Sequence, residues 1–550
     1  MQAGFPVFIS CTILHAMQAI TFTSTRNGGV AADIAHAIAE GMPEDGGLYV
    51  PTSIPSLPSA VLYEQGLSYA ELAWIVLAPW FADWEEHELR PLIEEAYDTS
   101  GQPRFFVPEV APIRPAGAFG SHPAFCLELF HGRTCAFKDF ALSLLGGLLE
   151  ASMDRCGMGG PLCILTATSG DTGSAALEGL GGRRAIRIAV LYPAEGTSEI
   201  QRLQMTSSPS KGRLVLGLRG NFDDAQREVK RIFRTARSPD SPFHTFRLSS
   251  ANSINIGRLL PQIVYYVHAW RKLRELGALK DGEYMHVVVP SGNFGDVLAA
   301  RYAKAMGLPI ETLVVASNSN RVLADFFATG RYDKRRPFFT TLSPSMDILV
   351  SSNLERLLYM AMGENPVRLA AAMAVFEQEG FLALAPGEQA ELKDFRGGWA
   401  DDHATRMAIR SAWEEHKLLL DPHTAVGYEV ARQITAADQW GGRGTEPVVL
   451  VATASPFKFP VPCFEALGLP MPSAERHQGK ETASALSGTE LAGSDLALAA
   501  QLASCTGIPM PQPLAELAAR PVQHTRVCQV QEAESLLAEF FRKETQGGAA

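Results

Sequence analysis

Residues 131–149 read His131-Gly-Arg-Thr-Cys-Ala-Phe-Lys138-Asp-Phe-Ala-Leu-Ser-Leu-Leu-Gly-Gly-Leu-Leu149. One lysine, Lys138, interrupts an otherwise apolar run. From Asp139 onward apolar residues cover too much of the helix wheel for a surface helix, so the pattern predicts a buried helix opening near Asp139. A lysine there is costly to bury as an ammonium. Desolvation and the positive end of the helix dipole both favour the neutral amine. A neutral buried amine is a nucleophile able to form a Schiff base with an aldehyde. A plain core-helix lysine snorkelling to the surface fits the same residues, and the stretch alone leaves both readings open.

Two further units surround this one. Leu162 to Thr166 reads as a strand, Thr168-Ser-Gly-Asp-Thr-Gly173 as a turn, and Ser174 onward as a helix. Glycines at 170 and 173 let backbone approach a ligand, and Ser169, Thr172 and the N–H groups at the helix start make an anion site. A plain capped turn accounts for the loop equally well. Met285 to Val289 is a continuous apolar strand, followed by Pro290-Ser-Gly-Asn-Phe-Gly295 and a helix from Asp296 to Met306. Strand, glycine loop and helix in that order can cradle a phosphate on backbone N–H groups. Gly220-Asn-Phe-Asp-Asp224 looks similar, but its two aspartates suit a capped helix start instead. With apolar runs at 186–191, 214–218, 311–318 and 448–453, the chain reads as α/β, with buried parallel strands and ligands at their C-terminal ends.

Outside these units the chain is less informative. Residues 30–41 look helical, and Pro43 to Pro51 reads as a turn into a short strand. Residues 69–97 read as two helices broken around Pro79, with Trp74, Trp80 and Trp84 as core. Prolines 108, 112 and 115, with glycines to Gly120, mark a connection, and Phe125 to Phe130 a strand. Residues 471–512 are rich in Ala, Ser, Gly and Pro and look like a loose insertion, ahead of a final amphipathic helix within 513–541. The expected partition is 1–16 as an extension or misassigned start, 17–100 as an N-terminal domain, 101–470 as two catalytic α/β lobes, and 471–550 as insertion and C-terminal helix.

Composition limits the partners. With 46% hydrophobic and 19% charged residues, the 550-residue chain is an ordinary globular protein of two or three domains. A net charge of -11 and no long basic run argue against nucleic acid. Residues 5–22 are fairly apolar, but His15, Gln18 and several hydroxyls interrupt them, and a span needs about 20 cleaner residues. No membrane partner is therefore expected, and Met17 is a plausible start. Eight scattered cysteines with no CxxC pair suggest neither a zinc ribbon nor a redox dithiol, and fit a reducing cytoplasm; no metal is expected. A monomer or homodimer is expected.

The lysine segment resembles the active-site segment of the threonine synthases of the longer bacterial and fungal type, with Arg133 where that family usually has proline. The resemblance recurs in the family's order: Thr21 to Arg26, Asp45 to Pro51, Ser169 to Gly173, Asn252 to Asn255, Ser291 to Asp296, residues 343–358, Asp421 to Ala425, and Thr453 to Lys458. Ser455 and Phe457 stand where the family has histidine and alanine; Thr453 and Lys458 are in place. The resemblance runs with gaps from about residue 20 to 465.

It implies the pyridoxal 5′-phosphate (PLP) fold type II of the tryptophan synthase β kind: two open parallel-sheet α/β domains plus a small N-terminal domain. It implies PLP on Lys138, with cofactor contacts at Gly292, Asn293, Phe294, Gly295 and Asp296, and Thr453 on the pyridine nitrogen. It suggests substrate contacts at Ser169, Asp171, Thr172, Asn252, Ser253, Asn255 and Arg258. For the asparagines a helix cap serves as well, and for Arg258 a structural role. Ser351, Ser352, Asn353, Arg356 and His423 are further polar candidates. The implied activity converts O-phospho-L-homoserine and water to L-threonine and phosphate. A phospho-lyase of the threonine synthase-like group, or a PLP-binding protein without turnover, would share these motifs.

Overall fold

The structure, a computed structural model, describes residues 18–236, 238–470 and 494–546. The expected extension at 1–16 lies outside the described residues, as does most of the expected insertion, 471–493. Among the described residues no helix is long and apolar enough to cross a membrane.

The N-terminal region pairs strand β1 (Phe22–Ser24) antiparallel with β2 (Tyr49–Pro51). Helix Ile34–Glu40 starts on an Asp33 cap and stops at left-handed Gly41. Helix Tyr69–Leu77 opens with a Ser68–Glu71 capping box, and Pro79 sits in the short 3-10 helix that follows. Helix Glu86–Ala96 completes the set, and Trp74, Trp80 and Trp84 are buried as expected. Arg26 ties this region to the body: its guanidinium and the Thr25 hydroxyl both donate to Glu355.

Two sheets form the body. The first uses β3 (Ile113–Phe119) and β4 (His122–Glu128). The second uses β5 (Leu162–Ala167), β6 (Ile186–Pro193), β7 (Arg213–Arg219) and β8 (Arg247–Ser249). The chain then returns to the first sheet with β9 (Met285–Pro290) and β10 (Ile310–Ser317). After a small antiparallel pair, β11 (Arg331–Asp333) with β12 (Phe381–Ala383), it adds β13 (Phe395–Trp399) and β14 (Val448–Ala452). Strand β15 (Val527–Gln529) closes the edge of the second sheet. The orders are β13-β10-β9-β14-β4-β3 and β15-β7-β6-β5-β8. Every pairing in these two sheets is parallel except β3 with β4.

Helix Lys138–Arg155 packs on helices Ile34–Glu40, Glu86–Ala96 and Asp171–Leu180. Glycine is required at one crossing: a Cβ on Gly179 would lie 2.2 Å from the Leu142 carbonyl oxygen. The apolar circumference read from the sequence is explained, since helices cover the lysine helix on several sides.

Two expectations are corrected. The proline- and glycine-bearing stretch before residue 120 is not only a connection but contains β3. That strand lies at the sheet edge, where proline costs no ladder bond, and its register shifts between Pro115 and Ala118. The C-terminal stretch is not simply loose chain ending in a helix. Asp495–Thr506 is a helix capped by Ser494, and β15 and helix Ala533–Gln546 cover the second sheet.

Candidate active site

Lys138 is the first residue of its helix. The preceding Phe137 N–H donates to the Thr453 carbonyl at 2.8 Å, and the Ser455 N–H to the Cys135 carbonyl at 3.0 Å. The lysine is thereby fixed to the C-terminal end of β14. Asp139 folds the loop back on itself, accepting from the Thr134 N–H (2.8 Å) and hydroxyl (2.6 Å). Arg133 turns outward to the Pro103 carbonyl at 3.0 Å, so the departure from proline leaves this closure intact. Ser455, in the family's histidine position, is fully buried and its hydroxyl caps the Phe457 N–H.

The Lys138 Nζ lies 3.6 Å from Asp171 Oδ2. Burial pulls the Lys138 pKa down; Asp171 opposes this, while Lys458 and Arg258 reinforce it. Asp171 gathers much else. Its Oδ1 accepts Lys458 Nζ at 2.7 Å and Gln201 Nε2 at 2.9 Å, and its Oδ2 accepts the Ser345 hydroxyl at 3.1 Å. Burial alone would raise its pKa, but Lys458, then Lys138 and His423, hold it well below the usual carboxylate range. Of the two lysines, Lys458 is wholly buried and also donates to the Thr134 carbonyl at 2.8 Å. Lys138 keeps 12% of its side chain exposed. The less committed and more accessible amine is Lys138.

The loop before Asp171 is organised by Thr168, whose hydroxyl accepts the N–H groups of Gly170 (2.9 Å) and Gly173 (3.0 Å). Ser169 and Thr172 are half-buried, and the N–H groups of Ser169, Asp171 and Thr172 meet no acceptor among the described residues. This is an anion cradle at the start of helix Asp171–Leu180.

The second loop follows β9. Phe294 adopts a left-handed backbone (φ 64°), stacked on Phe327, and helix Gly295–Ala305 begins there. The N–H groups of Gly292, Asn293, Phe294, Gly295 and Asp296 take no acceptor among the described residues. Braces stand behind it: Ser351 donates to the Gly292 carbonyl (2.8 Å) and Asn353 Nδ2 to the Asn293 carbonyl (3.1 Å). Arg356 is buried, bound to Asn353 and to the Tyr49 carbonyl. Ser352 reaches only the Asn293 side chain, at 3.4 Å. These four support the loop. His423 does likewise: its Nδ1–H donates to Asp421 at 2.7 Å and its Nε2 accepts the Ser345 N–H at 3.2 Å.

The remaining candidates divide. Arg258 is buried, with one N–H on the Ala251 carbonyl (2.7 Å) and Nε without a partner among the described residues; burial lowers its pKa to about 10. Such a cation beside Lys138 suits a phosphate or carboxylate. Asn255 is spent: it caps Gly257 and donates to the Ile38 carbonyl, both at 2.9 Å, so its amide serves packing and not a ligand. Asn252 is exposed, and Ser253 accepts Asn353 Nδ2 at 3.2 Å through its carbonyl. Asp296 is aimed inside the protein, where hydroxyls of Tyr265 and Tyr266 (2.6 Å from Tyr266) reach Oδ1; burial pushes it up to about 6. Thr453 is buried at the end of β14. Gln201 and the two tyrosines carry no local signal in the sequence, and Ser345 and Lys458 fall in stretches marked only by resemblance.

These residues fit PLP. Lys138 offers an amine to an aldehyde, the free N–H groups at 292–296 offer a phosphate cradle, and Arg258 Nε is an orphaned buried donor. Two parallel α/β sheets, with a buried lysine and two glycine loops at their strand ends, define a PLP enzyme of fold type II. The threonine synthase N-terminus family profile matches residues 21–97. A threonine synthase from Pseudomonas aeruginosa is 38% identical over 443 residues, 80% of this chain and 88% of that one. The human protein named threonine synthase-like 1 is 37% identical over 454 residues, 79% of this chain and 58% of its own length. The crystal structure of PLP-bound threonine synthase from Brucella melitensis superposes with a TM-score of 0.79 at 32% identity, covering 95% of this chain and all of that one. The chain belongs to the threonine synthase family.

Proposed function

We propose that the protein binds PLP through Lys138 and converts O-phospho-L-homoserine and water to L-threonine and phosphate. The observation that carries this is the partly accessible Lys138 amine, its pKa lowered by burial, set between two loops of unpartnered N–H groups. When bound, PLP supplies the electron sink for negative charge on the amino acid's carbons.

The chain's own residues do the rest. The N–H groups of Gly292 to Asp296 would hold the cofactor phosphate. Those of Ser169, Asp171 and Thr172 hold the substrate carboxylate. The Asp171 charge would repel that carboxylate, and Lys458 offsets it. Arg258 faces the substrate phosphate. The overall change takes phosphate from Cγ, leaves Cγ as a methyl group and puts the hydroxyl of water on Cβ, so protons must leave Cα and Cβ, one must be delivered to Cγ, and one must return to Cα. Lys138 moves them, because Lys458 is held by Thr134 and Asp171. Thr453, a buried neutral hydroxyl, would meet the pyridine nitrogen and would favour its unprotonated form. The described cysteines are free thiols, in keeping with a reducing cytoplasm.

The test is product analysis of PLP-loaded protein given O-phospho-L-homoserine. Threonine should appear in step with phosphate, and Lys138→Ala should abolish both. Phosphate accompanied by a keto acid would instead establish a phospho-lyase. Turnover by Lys138→Ala would refute the assignment.

A further inference from the structure

Away from the lysine, at the opposite end of the six-stranded sheet, His122 opens β4, His286 is the second residue of β9, and Glu446 lies two residues before β14. These strands are neighbours in the order β9-β14-β4, so residues far apart in sequence converge. The donor atoms of the three side chains all lie within 4.8 Å of one another. His286 is fully buried, and neither ring nitrogen has a hydrogen-bond partner among the described residues. A buried imidazole with two orphaned nitrogens forfeits its hydration unless something fills the site.

We propose that His122, His286 and Glu446 bind one divalent transition cation, Zn2+ by the character of the donors. Two imidazoles and a carboxylate, with a water in the fourth position, are an established zinc donor set. The supporting bonds are in place. The His122 Nδ1–H donates to the Glu446 carbonyl at 2.9 Å, which fixes the tautomer and leaves Nε2 as the free lone pair. Glu446 Oε2 is 3.8 Å from His286 Nε2, and N–H groups of its own loop orient its carboxylate. Trp440 packs on both imidazoles and holds them in place. Tetrahedral zinc would bring the donors to about 3.4 Å apart, a closure of at most ~1.4 Å from the present 4.8 Å limit. Arg396, a cation that would oppose the metal, spends its guanidinium on the Gln439 and Lys393 carbonyls. The bound ion clamps the N-terminal ends of three adjacent strands and takes no part in the chemistry at Lys138.

The experiment uses the full-length, PLP-loaded protein after dialysis against a chelator. Co2+ titration should give visible d–d absorption saturating at one ion per chain. Zn2+ should raise the unfolding temperature by several degrees, and the same concentration of Mg2+ should not. His122→Asn keeps the donor to the Glu446 carbonyl but lacks Nε2, and should lose both responses. X-ray absorption of zinc-loaded wild-type protein should show two imidazole ligands, a readout independent of any variant's folding. An absent cobalt spectrum, an equal shift with Mg2+, unchanged binding by His122→Asn, or fewer than two imidazoles at the zinc would overturn the proposal.

Discussion

At the scale of single residues, the site turns on Asp171. A loop suited to hold a carboxylate carries a carboxylate of its own, and that charge is tolerable only because Lys458 meets it at 2.7 Å. Removing one member of a buried pair strands the other charge, at a cost of about 3–5 kcal/mol, whereas removing both often costs little. Asp171→Asn and Lys458→Met should therefore each destabilise the apoprotein by about that amount, and the double variant by much less than the sum. Urea unfolding of the three variants checks this, and simple additivity would refute the coupling. The pH dependence has a definite sign. The folded Asp171 pKa is depressed, so the unfolded chain binds the proton more readily. Its stabilising contribution is complete above the ordinary aspartate range and is lost as pH falls below about 4. The stability gap between wild type and Asp171→Asn should close in that acid window and stay open at neutral pH.

At the scale of elements, the two glycine loops are coupled through Ser345. Its hydroxyl binds Asp171 in one loop, while its carbonyl would lie 2.7 Å from a Cβ placed on Gly292 in the other. Backbone cannot yield as a long side chain does, so Gly292→Ala must push the loops apart. The expected result is a tenfold or greater loss of PLP affinity with far-UV circular dichroism unchanged; a titration matching wild type would refute the coupling. The strand–loop–helix units themselves were legible in the sequence, because each is local: an apolar run, glycines and a helix start within about twenty residues. Their supports were not. Ser345, Gln201, Tyr265 and Tyr266 reach the site from other elements, and only the fold brings them there. Asn255 takes the helix-cap role that the sequence offered beside a substrate contact, and what the sequence could not show is that the Ile38 carbonyl would claim its amide.

At the scale of the whole molecule, the chain crosses between its two sheets and returns at its end to finish the second. The lysine helix and the long parallel strands β5, β6, β7, β9, β10 and β14 were readable because burial on several sides leaves an uninterrupted apolar pattern, whereas the short, partly polar β8 and β13 were not. Strand β3 was hidden by its prolines, and β15 by its length of three residues in a composition that reads as loop. Yet β15 is structurally consequential. It pairs with β7, and the Gly217 N–H donates to the Arg526 carbonyl at 3.0 Å. The helix after it buries Leu537 and Phe541 against the sheet face that carries Leu216 and Leu218. Without this segment β7 would become an open edge beside an uncovered apolar face, a template for aggregation. A chain ending at residue 525 should unfold at lower temperature and associate on size-exclusion chromatography, although it retains every residue assigned to the active site. Phe541→Ala, which keeps the strand and opens a cavity beneath the helix, should cost about 3–5 kcal/mol while the protein stays monodisperse. Equal unfolding temperatures for the shortened and full-length chains would show that the second sheet is stable without its last strand.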